Sequence, residues 1–213
     1  GTPASEYFNV TSDTIFVIGL TPNRIDSGSH FGVARDLAAY LSLNTDQSFR
    51  PQLPSVDGFK PDSCNNAFEI VVQNTADCPR YTGVTISNVS VAESPQWLKN
   101  RLLAIGLNPI NNIVDITNYV QHEIGQPLHA FDADQITGRK VIIKNLPDKT
   151  KFVTLDGTER TLSSRDLMIC NTNEGMCIAG VFGGIRSGIT SSSTNVFLES
   201  AYFNPVTIRK TSK

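Results

Sequence analysis

No stretch of this sequence approaches the roughly 20 consecutive apolar residues that a membrane-spanning helix needs. The four cysteines, Cys64, Cys78, Cys170 and Cys177, include no CxxC pair, so the ligand spacings of a structural zinc site are absent and no metal site is expected. A basic excess is missing too: the net charge is −2, which argues against an isolated, tight nucleic-acid binder. The opening residues "GTPASEYFNVTSDT" have neither the positive start nor the apolar core of a signal peptide, so a cytoplasmic location is expected. Internal repeats and low-complexity tracts are also lacking.

Several catalytic signatures are absent on spacing. "AGVFGG" has glycines but no following Lys-Ser/Thr and no G-x-G-x-x-G, which removes a phosphate loop. Gly180, Gly183 and Gly184 instead suit a tight strand exit or the close approach of a ligand to the backbone. His122 and His129 lie seven apart across a helix break, unlike the i, i+4 histidines of a helical zinc site. No G-x-S-x-G elbow marks a serine nucleophile, so a covalent hydrolase is not indicated.

What is present is an ordinary globular composition, 39% hydrophobic and 18% charged over 213 residues. That is enough for one large domain or two small ones, with a core that needs no disulfides. Cys170 and Cys177 lie in apolar, strand-like stretches and read as reduced, structural thiols. "DTIFVIGL" reads as a strand, Thr21-Pro22-Asn23 as a turn, and the following segment as a helix capped near Ser27 or Ser29. From residue 44 to 64 the composition shifts to Asp, Gln, Pro and Ser, placing a boundary near 44 to 60. "AFEIVVQN" and "RYTGVTISNVSV" read as strands. "SPQWLKNRLLAIGL" reads as a helix with Ser94 as N-cap, Pro95 at N1 and Gly106 at its end, and with Trp97, Leu98, Leu102 and Ile105 as core.

A second helix is predicted over 112–122, with Ile113, Ile116, Tyr119 and Val120 as its apolar positions, stopped by Gly125 and Pro127. Beyond Phe131 come short strands, "KVIIKNL", "KFVTLDGTERTL" with Asp156-Gly157 as a hairpin turn, "DLMICNTNEGMCIAGVFGG" and "NVFLESAYF". The fold class expected is therefore α+β, mostly antiparallel sheets with a few packed helices. Lys140, Lys144, Lys149 and Lys151 cluster after Asp134, and a solvated strand face explains them more simply than phosphate contact.

On composition alone His129 reads as a structural residue able to face solvent, and Glu199 as a half-exposed strand residue on the face opposite Leu198. If Glu199 is buried among so many apolar neighbours, it needs a partner.

Five ordered blocks carry a more specific likeness. They are "LTPNRIDSGSHFGVARDLAAYL", "RYTGVTISNVSVAESPQWLKNRLLAIGLNPINNIVDITNYVQHEIGQPLHAFDAD", "VTLDGTERTLSSRDLMI", "IAGVFGG" and "FLESAYFNPVTIRKTSK". Together they resemble the bacterial phenylalanyl-tRNA synthetase β subunit over almost the whole chain, specifically its B3/B4 editing region. The family's subunit is several times longer. The resemblance therefore casts residues 1–50 as a strand-turn-helix piece of a neighbouring N-terminal module and 51–213 as the B3/B4-like domain. The α-subunit contact modules and the anticodon module lie outside the chain, which ends inside what should be a continuing helix.

The resemblance implies hydrolysis of tyrosine wrongly esterified to phenylalanine tRNA. Glu199 would accept the tyrosine hydroxyl, His129 and Asn118 would lie near the scissile ester, and Thr117 and Pro127 would form walls. Ala179 and Gly180 would form a close-packed floor, and His122 stays outside the motif as a surface residue. The implied partners are the α subunit of an α2β2 heterotetramer and the aminoacyl end of the tRNA, with no membrane. No cofactor is expected in this region, the ligase's ATP and magnesium being bound elsewhere. The rival expectation is a non-catalytic scaffold or tRNA-docking module of the same ligase.

Overall fold

The computed structural model describes residues 1–7, 12–64 and 67–213. Two compact units emerge, one made of Gly1–Val56 with Ala92–Gln126 and the other of Asp57–Val91 with Pro127–Lys213. The chain passes between them three times, and the first passage, at residues 56/57, falls inside the compositional shift at 44 to 60. The architecture is α+β.

The first unit is helical, with α1 (Ala4–Tyr7), α2 (His30–Asn44), α3 (Gln96–Ala104) and α4 (Asn112–Ile124). Local chemistry sets the ends of α2 and α4. The Ser29 hydroxyl accepts from the Gly32 N–H at the start of α2, and the Asn111 side chain accepts from the N–H groups of Ile113 and Val114 at the start of α4. These bonds satisfy donors that the first helical turn leaves free. Gly125 ends α4 in the left-handed conformation, φ 81°, which glycine adopts without a Cβ clash.

Three expectations fail in this unit. The stretch 13–20 forms no strand; its Ile15, Phe16, Val17 and Ile18 are exposed, Val17 at 97%. β-branched residues favour a strand only where a neighbouring strand offers hydrogen bonds and a packing face, and no described strand pairs with it. Ser94 does not cap α3, whose N-cap is Pro95 without a side-chain bond. Its hydroxyl donates instead to Asp115 at 2.5 Å, a charged acceptor stronger than a backbone alternative. Of the four apolar positions on α3, only Leu98 and Leu102 are core, while Trp97 is 58% exposed and packs edge-on against Tyr119.

The second unit holds the strands β1 (Glu69–Val72), β2 (Arg80–Ser87), β3 (Leu128–Asp132), β4 (Lys140–Asn145), β5 (Lys151–Val153), β6 (Glu159–Thr161), β7 (Leu167–Cys170), β8 (Gly175–Ile178), β9 (Phe182–Gly183) and β10 (Asn195–Tyr202), followed by α5 (Pro205–Thr211). They form a five-stranded sheet ordered β1-β4-β7-β8-β9, a three-stranded sheet β2-β10-β3 and the β5-β6 hairpin. Within these sheets β1 and β4 run parallel and the other neighbours antiparallel.

Strand alternation explains the layering. Val141, Ile143, Leu167, Ile169 and Cys177 of the large sheet share one core with Tyr81, Phe131 and Phe197 of the three-stranded sheet. The alternate residues Ile142, Met168, Cys170 and Ile178 form a second cluster with Phe152 and Leu162 of the hairpin region. Because both faces of the large sheet are covered, β7 is apolar at every position, Leu-Met-Ile-Cys, and buried throughout,. The hairpin turns where expected, with Gly157 at φ 76° and the Asp156 carboxylate accepting from Thr154 and Thr158.

Candidate functional site

Glu199 sits in the middle of β10, between β2 and β3, and pairs in register with Gly83 on one side and His129 on the other. Paired residues point to the same face, so Tyr81, Gly83, His129, Phe131, Phe197 and Glu199 all face the core side of the small sheet. Glu199 is only 6% exposed, which overturns the half-exposed reading. The reason is that β10 is the central strand, so its inward side chains are largely covered by the sheet packed against them.

The buried carboxylate has the partner it requires. The Tyr81 hydroxyl, itself buried, donates to Glu199 Oε2 at 2.8 Å. The other oxygen, Oε1, accepts no hydrogen bond from a described residue, yet no described side-chain oxygen is both sealed and unpartnered. Oε1 is therefore not fully sealed. Burial raises the Glu199 carboxyl to about 7, opposed by the Tyr81 hydrogen bond, which favours the charged form,. Burial and the nearby Glu199 charge together push the Tyr81 phenol well above its usual range.

His129 stands beside Glu199 on β3. Its ring lies edge to face on Phe131, centroids 4.5 Å apart, and against Gly183 of β9, where a Cβ would come within 2.8 Å of His129 Cε1. It is half-buried rather than turned to solvent. Burial lowers its pKa to about 4, so at neutral pH the imidazole is uncharged, with one nitrogen accepting and one donating. Cys78 and Cys177 share this core and are free. Burial pushes the Cys78 thiol up to about 11 and Cys177 well above its usual range, which keeps both protonated and unsuited to nucleophilic attack.

The remaining predicted residues divide between the units. Pro127 is exposed just before β3. Ala179 is wholly buried in the core shared by the two sheets. Gly180 is exposed at φ 66°, where a Cβ would come within 3.3 Å of Phe203 and Ile208. Thr117 and Asn118 belong to α4 in the first unit. Thr117 is buried and donates to the Val114 carbonyl at 2.7 Å, and Asn118 is half-buried. His122 is exposed, its carbonyl accepting from His30 Nδ1 at 3.1 Å.

One residue of the constellation, Tyr81, is not singled out by the sequence, which marks Gly183 as one of three glycines suited to a strand exit or to close ligand approach. The demand for a partner to Glu199 was a usable signal, but the pairing spans 118 positions and only the sheet register reveals it. A separate cavity of about 550 Å³ in the second unit, lined among others by Lys144, Phe152, Asn171, Glu174 and Arg186, includes none of the predicted site residues. Among the described residues no group of three or more His, Cys, Asp or Glu side chains is placed to hold a metal ion.

The fold and the site together define an α+β sheet domain built around a buried, phenol-bonded carboxylate with a neutral histidine at its side. A family model, described as the B3/4 domain, matches residues 77–213, and the chain belongs to that family. It is 57% identical over its whole length to the phenylalanine–tRNA ligase β subunit of Bacteroides thetaiotaomicron. Identity is 53% to that of Porphyromonas gingivalis and 43% to that of Fusobacterium nucleatum, again with 100% of this chain covered. In each case the chain spans 26% of the relative's length. A crystal structure of an N-terminal fragment of the phenylalanyl-tRNA synthetase β subunit from Pyrococcus horikoshii is matched at a TM-score of 0.48 and 15% identity, over 87% of this chain and 55% of that one. No helix among the described residues is long and apolar enough to cross a membrane.

Proposed function

We propose that this chain is the editing region of a phenylalanine–tRNA ligase β subunit and hydrolyses tyrosine misattached to phenylalanine tRNA. It works beside an α subunit that holds, with the rest of the ligase, the ATP and magnesium chemistry. The observation that carries the reading is the 2.8 Å bond from a phenol to the buried Glu199 carboxylate. Glu199 is a site for a phenolic hydroxyl, and tyrosine differs from phenylalanine by that group alone.

The physics of discrimination favours such an arrangement. A pocket cannot strongly reject a smaller isostere by packing, but one built around a buried acceptor loses stabilisation when phenylalanine leaves that acceptor unpaired. In the reaction a water oxygen attacks the ester carbonyl carbon, the bond to the ribose oxygen breaks, and that oxygen takes up a proton. Tyrosine and free tRNA result, with no covalent enzyme intermediate. His129, neutral at pH 7, orients the water by accepting from it while its pKa near 4 makes it a weak proton store,. Gly183 keeps the space beside the imidazole clear.

The test is deacylation of Tyr-tRNA by the ligase carrying this chain. A His129→Ala variant is expected to hydrolyse it at least ~10-fold more slowly, below the roughly 10²–10⁴-fold of a full proton-transfer group, because His129 orients the water and stores little of its proton. Parental rates in that variant, or a parent that clears Tyr-tRNA no faster than buffer does, would leave the scaffold reading in its place.

A further inference from the structure

If Glu199 recognises a tyrosine hydroxyl, it does so while already holding another phenol, and this is the feature the site's function has not absorbed. We propose that Tyr81 is a positioning residue for substrate recognition: its hydroxyl occupies Glu199 Oε2 and thereby presents Oε1 to the hydroxyl of the substrate tyrosine, one carboxylate bridging two phenols. The inference rests on the editing reading of the site.

Three observations support it. First, the Tyr81 hydroxyl donates to Oε2, the one direction open to the pair once the carboxyl is ionised above its pKa of about 7,. Second, the two oxygens are inequivalent: Oε2 is taken, while Oε1 has no partner among the described residues and is not sealed. Third, Tyr81 is itself rigid. It is 8% exposed and belongs to the shared core, and it lies on β2, bonded alongside β10 from Arg80 to Ser87. The terminal torsion of a glutamate is otherwise broad. A hydroxyl delivered from a locked strand narrows it, so that the free oxygen points one way and less ordering is left for the binding step.

The groups around Glu199 leave Tyr81 as its polar tether. From β2 comes Tyr81, from the segment before it Cys78, from β8 Cys177 and from β3 His129. Neither thiol nor the imidazole hydrogen-bonds the carboxylate, and burial keeps all three uncharged at pH 7. Removing the Tyr81 hydroxyl therefore removes a stabiliser of the charged form.

The experiment compares parent, Tyr81→Phe and Glu199→Gln ligases in the deacylation of Tyr-tRNA and Phe-tRNA between pH 6 and 9. Tyr81→Phe keeps the ring and its packing. It is expected to lower the Tyr-over-Phe preference about tenfold, through KM more than kcat, because the bond to the side chain is present in ground and transition states alike. The midpoint at which preference appears should also move to higher pH than in the parent, which a purely packing role for Tyr81 does not predict. Parental preference and midpoint in Tyr81→Phe, with preference lost in Glu199→Gln, overturns the inference alone. Preference retained in Glu199→Gln removes Glu199 as the recogniser and the inference with it, while a parent that clears Tyr-tRNA no faster than buffer removes the editing reading itself.

A measurement on the unaltered chain needs no variant to fold. The Tyr81 hydroxyl proton is followed by NMR as p-cresol is added as a tyrosine side-chain probe. Two phenols on one carboxylate predict that the Tyr81 resonance persists and a second downfield proton appears. Disappearance of the Tyr81 resonance on cresol binding, a displacement, overturns the bridge.

Discussion

Asp115 in the first unit and Glu199 in the second are both buried carboxylates, and they differ in how far their oxygens are satisfied. Asp115 is 0% exposed and has both oxygens engaged, Oδ2 by the Ser94 hydroxyl at 2.5 Å and Oδ1 by the Ile110 N–H at 2.9 Å. It also lies in the first turn of α4, where the helix dipole favours negative charge. Both oxygens are thus tied to donors of the same unit. Glu199 has one oxygen bonded and one open, and burial lifts its carboxyl to about 7. A buried polar group that is half satisfied costs stability, which fits the proposed role in recognition better than a role in folding.

Substitution sharpens that contrast most at Asp115. Asp115→Ala strands the buried Ser94 hydroxyl and frees the N–H of the largely exposed Ile110, and should destabilise the first unit by about 3 kcal/mol, at roughly 1–3 kcal/mol for a buried donor left unpaired and less for one that water can reach. Urea denaturation checks it, and a loss under 1 kcal/mol would mean that the network is not closed as described. Glu199→Gln should act in the opposite direction. At pH 8 it replaces a desolvated charge with a neutral amide that still accepts from Tyr81, and the folded state should gain on the order of 2 kcal/mol. The same substitution is the one expected to erase preference for tyrosine, so stability and selectivity would move oppositely at a single residue. A destabilised Glu199→Gln would make Glu199 a second Asp115.

The difference in legibility between the two units has the same physical origin. In the second unit the strands could be read because period-2 patterning, Asp156-Gly157 and the fully apolar "LMIC" each carry their own local signal. In the first, the helix ends at Ser29 and Gly125 are marked by capping chemistry that acts over a few residues, and the Asn111 cap of α4 emerges only in the structure. The failures concern partners distant in sequence. "TIFVIGL" looks as strand-like as "NVFLESAYF", but only the latter finds strands on both edges. Ser94 looked like an N-cap until Asp115, twenty-one positions on, claimed its hydroxyl. Of the site, the resemblance pointed to Glu199 and His129 by motif, and the register of β10 makes them neighbours. Tyr81 is invisible because nothing local distinguishes a tyrosine that bonds a carboxylate 118 positions away from one that only packs.

The smallest effect is also the most discriminating, because two groups on one face oppose each other. The Glu199 carboxyl is raised from 4.5 to about 7 on folding, so between those values the native state binds more protons than the unfolded chain. Its contribution is most favourable below pH 4.5 and is lost as pH rises to about 7. The His129 imidazole is lowered from 6.5 to about 4, so between those values the unfolded chain binds more protons, and stability falls as pH drops. From about pH 4.5 to 6.5 the two slopes have opposite sign, and the parent should show little net change from this pair. Each variant unmasks the other group. His129→Ala should become more stable on acidification from pH 7 to 4.5, and Glu199→Gln less stable from pH 6.5 to 4, each by on the order of 1–3 kcal/mol. Urea melts at half-unit intervals resolve the slopes. Variants that both track the parent would show that neither group is desolvated on that face, and a shared change of sign would show that the two titrate as one coupled pair.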